Sequence, residues 1–150
     1  VYDTVYGNTE KVAQTLQTVL TRGNKVNLVK AHAASAAQAQ QADLLLVGSP
    51  THGGRPTEDV KKLLDAIPAG GLNGKRAIAF DTSSAKQGEG WFVRGVIDFF
   101  GFASRRISAD LAAKGASVLG TNTFLVRGRE GALLDGELER AAAWVKDLVK

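Results

Sequence analysis

Strand-like and helix-like segments alternate along this 150-residue chain, and the connections between successive strand-like runs are too long for hairpins. The most constraining run is Asp43-Leu44-Leu45-Leu46-Val47-Gly48-Ser49, closed by Pro50. Apolar side chains on consecutive residues point to both faces of a strand, so both faces must be covered, as parallel sheets require. Further strand candidates are the apolar start at Val1-Tyr2, residues 26–29, residues 76–81, and an interrupted fifth strand at 117–119 and 123–126. Helical spacing joins Val12, Ala13, Leu16, Val19 and Leu20 over 9–21, stopped by Gly23-Asn24. Residues 32–41, rich in alanine and glutamine, form a short covering helix or a loop. Thr57 precedes a helix with Val60, Leu63, Leu64 and Ile67 on one side, and Asp135 precedes a last one carrying Leu138, Ala142, Val145, Leu148 and Val149. Another helix covers 103–113 and closes at Gly115. The pattern predicts an α/β fold: a doubly wound five-stranded parallel sheet with helices on both faces. Such sheets bind ligands beyond the carboxyl ends of their strands, at the switch point.

The length suits one domain over residues 1–150, with no repeat and no linker. An apolar content of 44% argues against a disordered chain. No apolar run approaches the ~20 residues of a membrane span, and no signal peptide is visible. Without cysteine there are no disulfides and no thiolate metal sites, which is compatible with a reducing cytoplasm, the expected location. The chain has no methionine and opens inside an apolar strand, so residues preceding Val1 are expected. The net charge of +4 is spread along helices and turns with acids between, and basic residues do not interleave with aromatics as in RNA-binding sheets. No nucleic-acid partner is expected.

In the predicted topology, the loops after the first, third and fourth strands share one edge. The first is Thr4, Val5, Tyr6, Gly7, Asn8 and Thr9, running straight into a helix. A tight turn there gathers unpaired backbone N–H groups at the positive end of the helix dipole, joined by the Thr4 and Thr9 hydroxyls and the Asn8 amide. A phosphate is the natural occupant. An ordinary strand-to-helix turn with a threonine cap would read the same way locally. The second loop, after Gly48-Ser49, holds Pro50, Thr51, His52, Gly53 and Gly54, then Arg55 and Pro56. The third begins Asp81, Thr82, Ser83, Ser84.

Thr4, Gly7, Thr9, Ala13 and Leu16, preceded by Val1-Tyr2, match the phosphate-loop signature of the flavodoxins, and the sequence resembles that family. The likeness covers most of the chain, strongest over 1–67 and weakest from 83 to 102. It implies a bound FMN whose phosphate sits over the first loop. The second loop resembles the family's flavin-contacting loop, where Thr51 offers a hydroxyl and Gly53-Gly54 lets a backbone approach a flat ring and reorient. His52 lies beside the ring or faces solvent, and Arg55 is placed near the flavin or in solvent. In the family, the third loop closes over the pyrimidine edge, which would involve Asp81, Thr82 and Ser83. The usual glycine-aspartate-aromatic pattern does not stand here.

Residues 88–102 hold five of the eight tryptophan and phenylalanine residues, and Trp91 is a candidate cover for the ring in a lid or partner surface. Packing beneath a long loop is the alternative. The resemblance implies a small electron-transfer protein working between redox partner proteins. An FMN-dependent oxidoreductase acting on a small-molecule acceptor, a quinone or a porphyrinogen, is the rival reading. A flavin-free scaffold is another. Acidic carriers disfavour the fully reduced anionic ring. Residues 51–57 bring His52 and Arg55 and no carboxylate, which predicts a milder second reduction step. A receiver domain needs an aspartate where Ser49-Pro50 stands, and neither G-x-G-x-x-G nor G-x-x-x-x-G-K-[ST] occurs.

Overall fold

The computed structural model describes residues 1–85 and 102–150. In chain order these form α1 (Asn8–Leu20), a 3-10 turn (Ala31–Ala33), α2 (Ala36–Gln41), β1 (Leu44–Pro50) and α3 (Glu58–Ala66). Then come β2 (Arg76–Ala85), α4 (Ala103–Ala113), β3 (Ser117–Arg127) and α5 (Glu137–Leu148). The three strands pair in parallel in the order β1-β2-β3. Beyond β1, Tyr2 makes single parallel bridges to Gly48 on one side and Lys30 on the other. Hydrogen bonds of 3.0 Å from Asp3 N–H to Gly48 O and from Tyr2 N–H to Val29 O fix it there. The fold is the α/β class expected, with helices on both faces of a parallel sheet.

The regular ladder nevertheless has three strands among the described residues, against the five expected. Residues 26–29 form no strand, because Tyr2 is bridged at one point only and offers them no continuing partner. A groove of about 1090 Å³ opens instead between that segment and Leu44, Leu45 and Leu46. The fifth strand, expected in two pieces, runs unbroken from Ser117 to Arg127. A bulge absorbs the irregularity: Ala77 faces Val118 while Ile78 faces Gly120, leaving Leu119 unpaired. Ala103–Ala113 is the helix read from sequence.

Alternation along the strands divides the core in two. Leu45, Val47, Ala77 and Ala79 pack with Val60 and Leu64 of α3 and with Ile107 and Leu111 of α4. Ile78, Phe80 and Phe124 pack on the other face with Val12 and Leu16 of α1 and Ala141 and Val145 of α5. Gly48 is required by this packing, since a Cβ there would stand 2.1 Å from the Phe80 ring.

Two helix starts differ in detail from expectation. Thr57 is the N-cap residue of α3, but its hydroxyl caps nothing and is buried without a partner, while its N–H donates to Ser49 Oγ at 3.0 Å. The cap of α5 is Gly136 at φ 83°, not Asp135. That left-handed residue turns the chain so that Asp135 lies outside the helix and pairs with Arg127 at 3.0 Å.

Candidate functional site

The turn after Tyr2 is organised by short-range polar contacts. Asp3 Oδ1 accepts from Thr4 N–H at 2.8 Å, and Thr4 Oγ1 accepts from Gly7 N–H at 3.0 Å. Gly7 then takes φ 83° at the N-cap of α1, a conformation that costs side-chain-bearing residues and leaves open space where a Cβ would stand. No side chain caps α1. Its first amides, from Asn8 onward, therefore lack an intrahelical acceptor at the positive end of the helix.

The start of α4 is built the opposite way. Asp81 is fully buried, and its carboxylate accepts from the Thr51 hydroxyl, from Thr123 Oγ1 at 2.8 Å, and from the side chain and backbone of Ser104. Thr51 Oγ1 in turn accepts from Ala103 N–H at 3.0 Å. Asp81 and Thr51 thus cap α4 from outside, since Phe102 at its N-cap position has no capping side chain. Burial pushes the Asp81 carboxyl above its ordinary value, and the donors from Ser104, Thr51 and Thr123 offset this only in part.

The second loop is a tight hairpin. His52 and Arg55 exchange N–H···O bonds of 3.0 Å in each direction across Gly53 and Gly54. Both glycines have positive φ, 56° and 74°, the requirement of a type I′ turn. His52 and Arg55 are exposed.

A cleft of about 320 Å³ lies at the carboxyl edge of the strands. It brings together Tyr6 and Asn8 from the first loop, Pro50 from the end of β1, and Thr51, His52 and Gly53 from the second loop. Thr82 and Ser83 join them; they were expected in a third loop but lie in β2, since that strand runs on to Ala85. Other expected site residues sit elsewhere. Thr4 and Gly7 shape the turn behind the cleft, Val5 is exposed, Gly54 completes the hairpin, and Asp81 lies beneath. Thr9 is buried, its hydroxyl 2.8 Å from that of Thr82. Trp91, with the rest of the aromatic segment as far as residue 101, lies outside the described residues. Ser84, named in the third loop but given no site role there, also lines the cleft, and two lining residues were missed by sequence reasoning: Val126 and Arg129. The last two come from the end of β3 and the turn after it, where Gly128 and Gly131 bracket Arg129 and were the available signal.

The sequence profile of the flavodoxin family matches residues 1–144. The chain belongs to the flavodoxin family. Members of that family bind FMN, the cofactor to which the loops pointed. Among solved structures, oxidised flavodoxin 1 from Bacillus cereus is 19% identical, with a TM-score of 0.77 over 99% of this chain and 93% of that one. A Streptococcus pneumoniae flavodoxin is 17% identical, with a TM-score of 0.75 over 99% and 94%. An archaeal flavodoxin, also 17% identical, gives 0.74 over 98% and 92%. These likenesses concern the fold. A search of curated protein sequences finds no match.

The residues present fit FMN. The uncapped amides of α1 and the open space at Gly7 suit a phosphate, and Ser83 and Ser84 bring polar side chains to the cleft. The Thr51 side chain is already engaged by Asp81 and Ala103, and its N–H donates to Thr82 O at 2.9 Å, which leaves its backbone carbonyl for a ligand. No described helix is long and apolar enough to cross a membrane.

Proposed function

We propose that this flavodoxin, as one FMN-binding domain over residues 1–150, carries electrons between larger redox proteins in the cytoplasm. The observation that supports it most is the open amino end of α1 facing a cleft to which all three expected loops contribute. FMN supplies the one-electron chemistry when bound, and the protein sets its environment. In this reading the amides of Asn8 and Thr9 hold the phosphate with the Thr4 hydroxyl, whose oxygen accepts from Gly7 N–H, while the ring rests against the Thr51–Gly54 backbone and the Thr82-Ser83 edge. Asp81 acts as a positioning residue, because it fixes Thr51 and the start of α4.

An electron carrier also needs a surface where partners approach the ring. Val5 and Tyr6 are 52% and 47% exposed, the two large hydrophobics left open among the described residues, and Tyr6 borders the cleft. Apolar side chains at the rim of a cofactor cleft suit brief protein–protein contact.

The deciding measurement is the absorption spectrum of the purified protein before and after adding FMN. A flavin spectrum with quenched fluorescence and a one-to-one endpoint is expected. A colourless protein that leaves FMN fluorescence unchanged overturns the proposal. Rapid multiple turnover of NAD(P)H with a quinone, or of a porphyrinogen with an acceptor, without a partner protein would assign an enzyme instead.

A further inference from the structure

The turn after β3 forms a fourth wall of the cleft, and its geometry is tightly specified. Arg127 N–H donates to Ala132 O and Leu134 N–H to Leu125 O, both at 2.8 Å, with an antiparallel bridge between Val126 and Leu133. Gly128 has φ 63°, and a Cβ on Gly131 would fall 1.7 Å from Arg127 O, so this closed turn needs both glycines. Two contacts fasten it to the first loop. Asn8 Nδ2 donates to Gly131 O at 2.7 Å, and the Tyr6 hydroxyl to Glu130 Oε1 at 3.3 Å. Arg129 immediately precedes these anchors and lines the cleft with Tyr6 and Asn8, at the amino end of α1.

Arg129 is the only Lys or Arg among the described residues lining that cleft. Arg127 is paired with Asp135 and Arg140 with Glu137, whereas no described hydrogen bond or ion pair engages the Arg129 guanidinium. A phosphate monoester carries up to two negative charges near neutral pH, and a helix end supplies only about half a positive one. The Glu130 carboxylate on the same turn opposes an anion here. A guanidinium beside it restores the balance and can donate two parallel hydrogen bonds to phosphate oxygens.

We propose that Arg129 is a phosphate-binding residue of this flavodoxin, selecting the phosphorylated flavin over its phosphate-free form. This inference rests on the FMN reading above and assigns a residue of the fourth loop to the cofactor's phosphate. The test is a fluorescence titration of the apoprotein with FMN and with riboflavin, for the natural protein, Arg129→Gln, Arg129→Lys and Glu130→Gln. Arg129→Gln is expected to weaken FMN about tenfold and leave riboflavin unchanged, with Arg129→Lys between. Glu130→Gln is expected to move the FMN-to-riboflavin ratio the opposite way. An unchanged ratio in Arg129→Gln, or equal losses for both flavins, overturns the role of Arg129 while leaving FMN binding intact. A natural protein that binds neither flavin overturns the functional reading itself.

Discussion

The hydroxyls of Thr9 and Thr82 meet at 2.8 Å in a buried position, joining the first turn of α1 to the end of β2 across 73 residues of sequence. The bond locks the start of α1 to the carboxyl half of β2 beneath the cleft. Either hydroxyl is expendable only with the other. Thr82→Val leaves the Thr9 hydroxyl buried without a partner and is expected to destabilise the protein by about 1–3 kcal/mol, as is Thr9→Val. The double variant should recover much of that loss, because two methyl groups can face each other without an orphaned donor. Urea unfolding of the four proteins measures the coupling; additive single losses would show that the hydroxyls do not act as a pair.

Asp81 makes stability depend on pH in an unusual direction for an acid. Burial raises its carboxyl above the ordinary 3.8, and the surrounding donors do not fully compensate. Between the unfolded value and the raised folded value, the native protein holds more protons than the unfolded chain. The Asp81 contribution to stability is therefore greatest when the group is protonated and declines as pH rises from about 4 through the folded value. Asp81→Asn is expected to flatten that slope in urea midpoints taken from pH 4 to 8. A slope that survives the substitution would assign it to another group.

Glu137 acts with the opposite sign. Burial alone would raise its carboxyl, but Arg140, the Leu125 amide at 2.6 Å and the Arg140 charge outweigh it and hold it below the ordinary 4.5. Arg140 reaches both Glu137 oxygens at 2.8 and 2.7 Å, and continues to Asn122 Oδ1 at 2.8 Å and over the Phe124 ring at 4.7 Å. Stability from Glu137 is fully present above the unfolded value and lost as pH falls through the depressed folded one. Glu137→Gln is expected to lower stability at pH 7 by about 1–2 kcal/mol, a figure kept small because Arg140 is partly exposed. The deficit against the natural protein should shrink steadily below pH 4.5; a deficit constant with pH would make the role of Glu137 one of shape alone.

Gly48 tests how closely the sheet is packed. Its missing Cβ leaves room for the Phe80 ring, which would stand 2.1 Å from an added methyl group. Gly48→Ala forces ring or strand to move and is expected to cost about 1–3 kcal/mol. Phe80→Leu on that background should return part of the loss, since a smaller side chain vacates the space. Failure of the second substitution to help would place the strain in the β1 backbone.

What the sequence made legible was local chemistry. The turn at Gly7, the glycine loop at Gly53-Gly54 and the run Leu44–Pro50 each declare themselves through residues whose backbone or side chains admit few alternatives, although the hairpin that closes that loop was not read. Asp81 was misplaced at the level of side-chain direction. β2 continues to Ala85, so residue 81 lies within a strand and alternation turns it toward α4 with Ala77 and Ala79, while Thr82 turns toward α1. Arg129 was missed for a different reason: Gly128 and Gly131 mark a turn around it but not where that turn docks. Its place in the cleft depends on the bond from Asn8 to Gly131, across 123 residues, which no local pattern encodes.

The charge around the second loop sets the final expectation. His52 lines the cleft and Arg55 closes the same hairpin, both exposed, and no carboxylate stands among residues 51–57. A positive or neutral surround favours an added electron on a bound flavin, so the second reduction step is expected at a milder potential than in carriers with acidic loops. Placing a negative charge at this hairpin, as in His52→Asp or Arg55→Glu, should shift that step downward. At an exposed position each unit of charge is worth on the order of 1 kcal/mol, or about 40 mV for one electron. The shift should shrink in high salt, because these side chains are reached by counter-ions. A stepwise redox titration of the FMN-loaded protein decides the matter: an already very negative second step in the natural protein, or no response to Arg55→Glu at low salt, would remove this hairpin's charge from the control of the potential.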